Sequence, residues 1–172
     1  IIGMSLDPES KSQLLALEAM KIAKDLNLEP ELLDLRELTL PFAGEEGSFD
    51  DTKVEELKQN VSSFRKFIFC VPIYNYDVSA SAKNFIELVG DRWLENATVG
   101  FICAASGQSS YMSVMSFANS LMLDFRCWIV PRFVYAVKKD WEGSVLKATK
   151  VTQRIRGLLE SLLFAVALAV GL

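Results

Sequence analysis

The feature of the sequence that most restricts its fold is a pair of unbroken apolar runs that alternate with segments of helical periodicity. Phe67–Val71 is followed by Pro72, and Val99–Ala105 is a second run of the same kind. Runs without polar alternation are typical of strands covered on both faces, as in a parallel sheet between two layers of helices. Between them, Ala80–Val89 has the apolar spacing of a helix. The alternation predicts parallel strands joined by right-handed helical crossovers.

The remaining segments continue this alternation and bring the prediction to five strands and five helices. The predicted strands are Ile1–Ile2, Glu31–Leu35, Phe67–Val71, Val99–Ala105 and Trp128–Val130. The first predicted helix has Leu15, Ala19, Ile22 and Leu26 on one face. The second begins with a capping box of Thr52 and Glu55 and has Val54, Leu57, Val61 and Phe64 on one face. The other three predicted helices are Ala80–Val89, Ser110–Leu123 and Val145–Val166. These elements fit a flavodoxin-like three-layer α/β/α sandwich with a five-stranded parallel sheet in the order 2-1-3-4-5. No linker or repeat interrupts the chain, so we expect a single domain over residues 1–172.

The composition excludes several classes of function. The sequence has no histidine, which removes Ser-His-Asp and Cys-His catalysis and the commonest metal ligand. A net charge of -4, with Lys and Arg spread along the chain, excludes the basic footprint of a nucleic-acid-binding protein. The chemistry must therefore proceed without an imidazole, as it does when an organic cofactor supplies the reactive atoms. We expect no metal site and name no catalytic acid or base.

The cysteines and the final apolar segment indicate where the protein resides. Cys70, Cys103 and Cys127 lie in or beside apolar runs and match no zinc or Cys-x-x-Cys spacing. We expect them to be reduced core residues, which favours a cytoplasmic protein. The uncharged segment Ser161–Leu172 is shorter than the roughly 20 residues that cross a bilayer. We expect no membrane span, and a final helix that packs on the domain or on a partner subunit.

Three loops are predicted to meet at one edge of the sheet. In an open α/β sheet, ligands bind beyond the carboxyl ends of the strands, where the strand order reverses. With the order 2-1-3-4-5, that point lies between the first and third strands. The loops that converge there are Gly3–Ser12, Pro72–Ser81 and Ser106–Ser110.

The first of these loops has the composition of an anion cradle. Ser5, Ser10 and Ser12 supply three hydroxyls near the start of a helix whose first backbone N–H groups are free, and Lys11 adds a positive charge. The alternative is simple helix capping by Ser or Asp. Neither Gly-x-Gly-x-x-Gly nor Gly-x-x-x-x-Gly-Lys-Ser is present, which argues against a Rossmann NAD site and against an NTPase.

The second and third loops offer groups suited to a flat ring system. Tyr74 and Tyr76 follow a buried strand directly, and Asn75 between them is able to donate and accept hydrogen bonds along a polar ring edge. In the third loop, Ser106–Ser110 combines small residues, which let backbone N–H groups approach a ligand, with the amide of Gln108. A rim loop with exposed tyrosines and an ordinary strand-to-helix turn are the alternatives.

These loops resemble those of the NAD(P)H-dependent FMN reductases of the flavodoxin superfamily, and the resemblance covers nearly the whole chain. The family pattern Pro-x-Tyr-Asn, a short spacer and Lys-Asn-x-Ile-Asp/Glu is matched by Pro72, Tyr74, Asn75, Lys83, Asn84, Ile86 and Glu87. The first loop is similar to Gly-Ser-Leu-Arg-x-x-Ser-x-Asn through Ser5, Leu6 and Ser10. Asp7 and Ser12 replace the Arg and the Asn of that pattern, and Gly107 is followed by Gln108 where paired glycines are frequent. Because an acidic residue beside a phosphate is unfavourable, we expect Asp7 to point away or to cap the helix.

The resemblance implies a cofactor and a set of residues that bind it. The first loop, with Ser5, Ser10, Lys11 and Ser12, would bind the FMN phosphate. Pro72, Ile73, Tyr74 and Asn75 would border the isoalloxazine, and Ser106, Gly107, Gln108 and Ser109 would line its pyrimidine side. Tyr74 and Tyr111 are the candidates for packing near the ring. NADPH or NADH would deliver a hydride to the flavin, and a small-molecule acceptor such as free flavin or a quinone would take the electrons.

The resemblance also implies a homodimer or homotetramer, for which Met112, Met115, Phe117, Leu121 and Met122 offer an apolar helix surface. Arg92 and Arg132 are candidates for binding a nicotinamide phosphate.

Two other functions stay open at this point: a non-enzymatic electron carrier of the flavodoxin type, and a flavin-binding interaction module that has lost turnover. Steady-state oxidation of NAD(P)H separates the reductase from both.

Overall fold

A mostly parallel sheet runs through the middle of the protein, with helices on both faces. The structure is a computed structural model and describes residues 1–169. In chain order the strands and α-helices are β1 (Ile2–Gly3), α1 (Lys11–Asp25), β2 (Leu33–Asp34), α2 (Thr52–Ser62), β3 (Lys66–Tyr74), β4 (Asp77–Val78), α3 (Ala80–Val89), β5 (Thr98–Ala105), α4 (Met115–Phe125), β6 (Trp128–Ile129), β7 (Val134–Val137), β8 (Trp141–Glu142), β9 (Val145–Leu146) and α5 (Thr149–Ala169).

The sheet confirms the predicted flavodoxin-like fold. Strands β2, β1, β3 and β5 are parallel neighbours in that order, and β6 and β7 both pair with β5 beyond them. The last position of the predicted five-strand order is thus shared by two short strands. Strand β4 pairs antiparallel with the end of β3, which brings the sheet to seven strands. The strand order therefore reverses between β1 and β3, and ligands of such sheets bind at the point of reversal.

Several boundaries differ from the predicted ones. Strand β3 continues through Pro72 because β1 ends opposite Cys70, so no neighbouring strand needs a hydrogen bond from the missing N–H. Strand β7 was not predicted. Helix α5 begins at Thr149 rather than Val145, because β8 and β9 form a hairpin before it. Helix α4 begins at Met115, after a 3-10 turn, rather than at Ser110.

The predicted capping box at Thr52 is also wrong. The N-cap of α2 is Asp51, whose side chain accepts hydrogen bonds from the backbone N–H groups of Lys53 and Val54. Both N–H groups bond to Oδ1 of Asp51, and the negative charge is favourable at the helix start, so the carboxylate caps the helix in place of the threonine hydroxyl.

Alternate residues of the central strands pack into two separate cores. Phe67 and Phe69 face α2, α3 and α4, whereas Ile68 and Cys70 face α1 and α5. This alternation is the period of two expected for a strand buried on both faces. The final helix packs on the domain through buried residues up to Leu162, which was one of the two predicted positions, the other being on a partner subunit. Residues 170–172 of the predicted final segment lie outside the described residues.

The cysteines are core residues, as predicted. Cys70, Cys103 and Cys127 are all buried free thiols, and burial raises the pKa of Cys70 and of Cys127 to about 12. Such thiols stay protonated and unreactive near neutral pH. Over residues 1–169, none of the helices combines the length and the apolar character that a membrane crossing requires.

Candidate flavin-binding site

A cleft of about 490 Å³ lies at the carboxyl edge of the sheet, where the three predicted loops meet. It is lined by Asp7, Glu9, Ser10, Lys11, Ser12, Pro72, Ile73, Tyr74, Ala104, Ala105, Ser106, Ala136, Lys138, Trp141 and Gly143. Its volume falls within the roughly 300–1,000 Å³ typical of small-molecule sites. The convergence of the loops after β1, β3 and β5 follows from the reversal of strand order between β1 and β3.

The first loop places two buried hydroxyls at the start of α1. Ser10 is the N-cap, and its Oγ accepts a hydrogen bond of 3.2 Å from the backbone N–H of Gln13. The Oγ atoms of Ser10 and Ser12 are 2.8 Å apart, and Ser12 is only 1% exposed although it lines the cleft. Ser5 is buried behind the loop, where its Oγ accepts from the N–H of Asp7 at 3.2 Å. The capping alternative thus holds for Ser10, and the first turn still presents N–H groups without helical partners to the cleft.

Asp7 is tied into the turn before α1, but it neither caps the helix, whose N-cap is Ser10, nor lies away from the cleft, which it lines. Its Oδ1 accepts a hydrogen bond of 2.9 Å from the N–H of Glu9, and its carbonyl accepts from the N–H of Ser10 at 3.1 Å. The carboxylates of Asp7 and Glu9 nevertheless line the cleft, together with the ammonium groups of Lys11 and Lys138. The charges of these four side chains cancel, so recognition of an anion depends on which of them lies nearest to it.

A network of polar side chains holds the first loop against β2. Nε2 of Gln13 donates to Oδ2 of Asp34 at 2.8 Å, and Arg36 forms an ion pair of 2.6 Å with the same oxygen. Burial raises the pKa of Asp34, but the hydrogen bonds and charge of Arg36 outweigh this effect and leave the pKa below its ordinary value. Oε1 of Gln13 has no hydrogen-bond partner among the described residues, and it fills the space beside Gly3.

We predict that Gly3→Ala lowers the free energy of unfolding by about 1–3 kcal/mol. A Cβ at this position would lie 1.8 Å from Oε1 of Gln13, so the buried amide must leave and give up its bond to Asp34. Urea denaturation monitored by circular dichroism measures the change. Gly107→Ala is the matched control, because its Cβ would meet no described atom within 4 Å. Equal losses in both variants would show that the Gln13 contact has no role.

The second loop forms a tight hairpin rather than an open rim. Tyr74 pairs with Asp77 across a two-residue turn, and both turn residues, Asn75 and Tyr76, have positive φ angles of 51° and 64°. This is the geometry of a type I′ turn, in which Asn is favoured at the first position. Pro72, Ile73 and Tyr74 line the cleft, whereas Asn75 does not. The position of Asn75 thus fits a backbone role in the turn.

The rest of the motif in the second loop supports the site from outside. The hydroxyls of Ser79 and Ser81 both donate to the carbonyl of Met4, at 2.9 and 2.7 Å, and so join the first and second loops. Asn84 accepts from the N–H of Ala43 at 2.8 Å and donates to the carbonyl of Pro41 at 2.9 Å. These contacts fix the segment after β2 against α3.

The third loop contributes less to the cleft than predicted. Ser106 lines it, whereas Gly107, Gln108 and Ser109 lie beyond its edge, the last two exposed in a 3-10 turn. Tyr111 packs edge-on against Tyr135, with ring centroids 5.3 Å apart, and also lies outside the cleft. Met112 has a positive φ of 68° and lies three residues before the start of α4, so it is not part of that helix.

Sequence reasoning missed one wall of the cleft. Ala136 belongs to β7, Lys138 follows it, and Trp141 and Gly143 belong to the hairpin formed by β8 and β9. The available signal was Glu142-Gly143-Ser144, a turn sequence between two short apolar stretches, which the predicted helix from Val145 obscured. Arg92 and Arg132 do not line the cleft. Within residues 1–169, no cluster of His, Cys, Asp and Glu has the arrangement of a metal site.

Comparisons with known proteins point to one kind of chemistry. The model of a family described as NADPH-dependent FMN reductase matches residues 1–142. Among solved structures, an oxidoreductase from Corynebacterium diphtheriae is 17% identical, with a TM-score of 0.74 over 94% of this chain and 91% of that one. The flavoenzyme NAD(P)H:(acceptor) oxidoreductase FerB from Paracoccus denitrificans is 18% identical, with a TM-score of 0.73 over the same shares.

A third similar structure is an FMN-dependent NADH-azoreductase from Bacillus anthracis in complex with FMN. It is 13% identical, with a TM-score of 0.60 over 95% of each chain. At these identities the three structures establish the shared fold.

Proposed function

Because the chain belongs to the NADPH-dependent FMN reductase family, we propose that the cleft is the site in which this FMN-dependent oxidoreductase holds its cofactor. The observation that carries the proposal is the polarity of the cleft. One end has a helix N-terminus, two buried serines and Lys11, with the acidic residues Asp7 and Glu9 of the same loop. The other end has an apolar floor and the ring of Tyr74. FMN has the same division, with an anionic phosphate at one end and a flat ring system at the other.

The phosphate end is formed by the first turn of α1. Backbone N–H groups at a helix start are directed towards an anion, and the helix dipole favours negative charge there. Ser10 and Ser12 are held by their mutual hydrogen bond and by burial, so their hydroxyls need no large rearrangement to bind an oxyanion. Lys11 lines the same end of the cleft. This donor set fits a phosphate monoester.

The ring end is formed by three strand ends. Ala104 and Ala105 close β5, and their small side chains leave room for a flat ligand. Pro72, Ile73 and the half-exposed ring of Tyr74 form the adjacent wall. Ser106 stands at the rim, where its hydroxyl and N–H are available to a ring carbonyl. The pocket is therefore apolar with few polar groups, as ring-binding sites usually are.

When bound, FMN takes a hydride from a reduced nicotinamide and passes the electrons to an acceptor. The role of this chain's residues is to bind, orient and shield the ring. The helix N-terminus and Lys11 hold the phosphate, and the floor of alanines sets the depth of the ring. Tyr74 would border the ring, and its half-exposed position at the cleft would leave room for a second flat molecule. Such a space suits a nicotinamide and a small aromatic acceptor of the quinone type, which we propose as the electron acceptor.

The proposed function is tested by an anaerobic titration of purified protein. We expect added FMN to give a bound-flavin spectrum, and added NADPH or NADH to bleach it within the mixing time. A quinone added afterwards restores the oxidised spectrum if it is an acceptor. Binding without bleaching would indicate an electron carrier, and absence of binding would overturn the proposal.

We predict that replacing Ser10 and Ser12 together by Ala weakens FMN binding by roughly 10- to 100-fold, because two hydrogen bonds to a charged group are lost. Riboflavin, which lacks the phosphate, should bind nearly as before. Loss of the Ser10 cap should also lower the free energy of unfolding by about 1 kcal/mol. Titration of apoprotein with both flavins measures the difference, and Asp51→Ala, which removes an N-cap outside the cleft, is the control. Equal weakening of both flavins would show that this loop does not bind the phosphate.

The oligomeric state, the domain organisation and the location complete the proposal. We propose one FMN-binding domain over residues 1–172 in a cytoplasmic homo-oligomer, for which the buried free thiols and the exposed apolar side chains of Met115, Leu123 and Trp128 are the support. Phe117 and Leu121 were predicted to form part of the subunit contact, but they belong to the core of the protomer. Light scattering of the purified protein distinguishes a monomer from a dimer or tetramer.

A further inference from the structure

The hairpin of β8 and β9, residues 141–146, forms a wall of the cleft that the proposed cofactor site does not yet explain. Its base is fixed through Asp140, whose Oδ2 accepts from the N–H of Val137 at 2.8 Å. The carbonyl of Asp140 accepts from the N–H groups of Lys147 and Ala148 at 2.9 and 3.3 Å. The hairpin therefore stands in a defined position beside the cleft, and its Trp141 and Gly143 line it.

One residue joins this hairpin to the start of α1. The ammonium of Lys11 donates to the carbonyl of Gly143 at 2.5 Å and lies 5.1 Å from the centre of the Trp141 ring. The hairpin turns at Gly143, whose φ is +57°, a backbone conformation that glycine adopts without strain. An ammonium has three donors, so one hydrogen bond to Gly143 leaves two for another partner.

The location of this cation is electrostatically unusual. Lys11 is the first residue of α1, where the helix dipole disfavours a positive charge. The cation–π contact and the carbonyl of Gly143 hold the ammonium there, at the same end of the cleft as Ser10 and Ser12. Asp7 and Glu9 line the cleft as well, so attraction of an anion depends on holding the ammonium close to it. The hydrogen bond to Gly143 and the contact with Trp141 fix the lysine in advance instead of leaving it to be ordered by the ligand.

We propose that Lys11 makes the site selective for phosphorylated flavin over riboflavin, and that the hairpin positions Lys11 through Trp141 and the carbonyl of Gly143. The proposal rests on the proposed FMN site and adds to it the residue that discriminates between the two flavins. In this arrangement Lys11 contacts the phosphate, and Trp141 is a positioning residue that acts through Lys11.

The test is a titration of apoprotein with FMN and with riboflavin, followed by flavin fluorescence. Lys11→Met should weaken FMN by roughly 10- to 100-fold, the loss of one charge-assisted contact, and riboflavin by less than about threefold. Lys11→Arg should keep most of the selectivity because the charge is retained. Lys139→Met is the matched control, since it removes an exposed lysine close by that does not line the cleft. Lys138→Met removes the other lysine of the cleft.

The positioning role of Trp141 has its own readout. Trp141→Leu should reduce the ratio of FMN to riboflavin affinity by roughly three- to tenfold in the wild-type background. It should leave that ratio unchanged in the Lys11→Met background, because its effect passes through the lysine. Raising the salt concentration should weaken FMN binding by the wild type more than by Lys11→Met, since an ionic contact is screened.

Three results would overturn the inference. One is equal weakening of both flavins by Lys11→Met, and another is loss of selectivity in Lys138→Met alone. The third is an effect of Trp141→Leu on the affinity ratio that is as large without Lys11 as with it. Failure of the wild type to bind either flavin would overturn the proposed function itself, and this result is visible before any variant is made.

Discussion

Ser106→Trp is expected to weaken FMN binding by at least about 100-fold, or about 2.7 kcal/mol, while the protein stays folded. Ser106 is exposed and lines the cleft at the end of β5, so an indole at this position fills the space proposed for the flavin ring without entering the core. Flavin fluorescence titration measures the loss of binding, and thermal unfolding of the apoprotein shows whether the fold is kept.

Ser109→Trp separates the observed cleft from the loop predicted by sequence. Ser109 lies three positions further along the same loop and is exposed, but it does not line the cleft. We expect this variant to bind FMN within about threefold of the wild type, the change that corresponds to the roughly 0.5 kcal/mol typical of a surface substitution. If Ser109→Trp blocked FMN as strongly as Ser106→Trp, the cofactor would extend along the whole loop, as the family resemblance implied.

Phe101→Ala is expected to lower the free energy of unfolding by about 3–5 kcal/mol, a large share of the roughly 5–15 kcal/mol of a typical domain. Phe101 is 0% exposed at the centre of β5. Its ring lies 5.8 Å from that of Phe69, 6.2 Å from that of Phe117 and 5.9 Å from that of Phe133. Removing it leaves a cavity where the sheet meets α4, and urea denaturation measures the cost.

Phe42→Ala is the matched control for this prediction, because the same side chain is removed from a position that is 68% exposed. The change in unfolding free energy should stay within about 0.5 kcal/mol, as is usual for a surface residue. A cost for Phe101→Ala as small as that for Phe42→Ala would mean that the core relaxes to fill the space, contrary to the close packing of these rings.

The fold was predictable because its strongest signals are local in sequence. The apolar runs of β3 and β5 and the helical spacing of α3 each depend on residues that are neighbours along the chain. The hairpin of β8 and β9 has only two residues per strand, and its position is fixed by Asp140 and by the distant Lys11. A pattern this short has no period to detect, and the contacts that stabilise it are not visible in the sequence.

The site was predictable to the extent that topology determines it. Ser10, Ser12 and Tyr74 follow strands whose ends must meet, so the order of the sheet brings them together. The role expected for Asn75 depended on its side-chain chemistry and on the family resemblance, whereas its positive φ in a two-residue turn explains an asparagine without any ligand. In the third loop, Gln108 and Ser109 belong to a 3-10 turn and do not line the cleft, so their predicted contact with the cofactor stays a prediction.

The contact between Lys11 and Gly143 spans 132 positions of the chain. During synthesis on the ribosome, the helix that begins at Lys11 emerges long before the hairpin that positions its lysine. Strand β7, which supplies another part of the wall, also emerges late. A nascent chain therefore lacks this wall of the cleft until residues 134–146 have emerged.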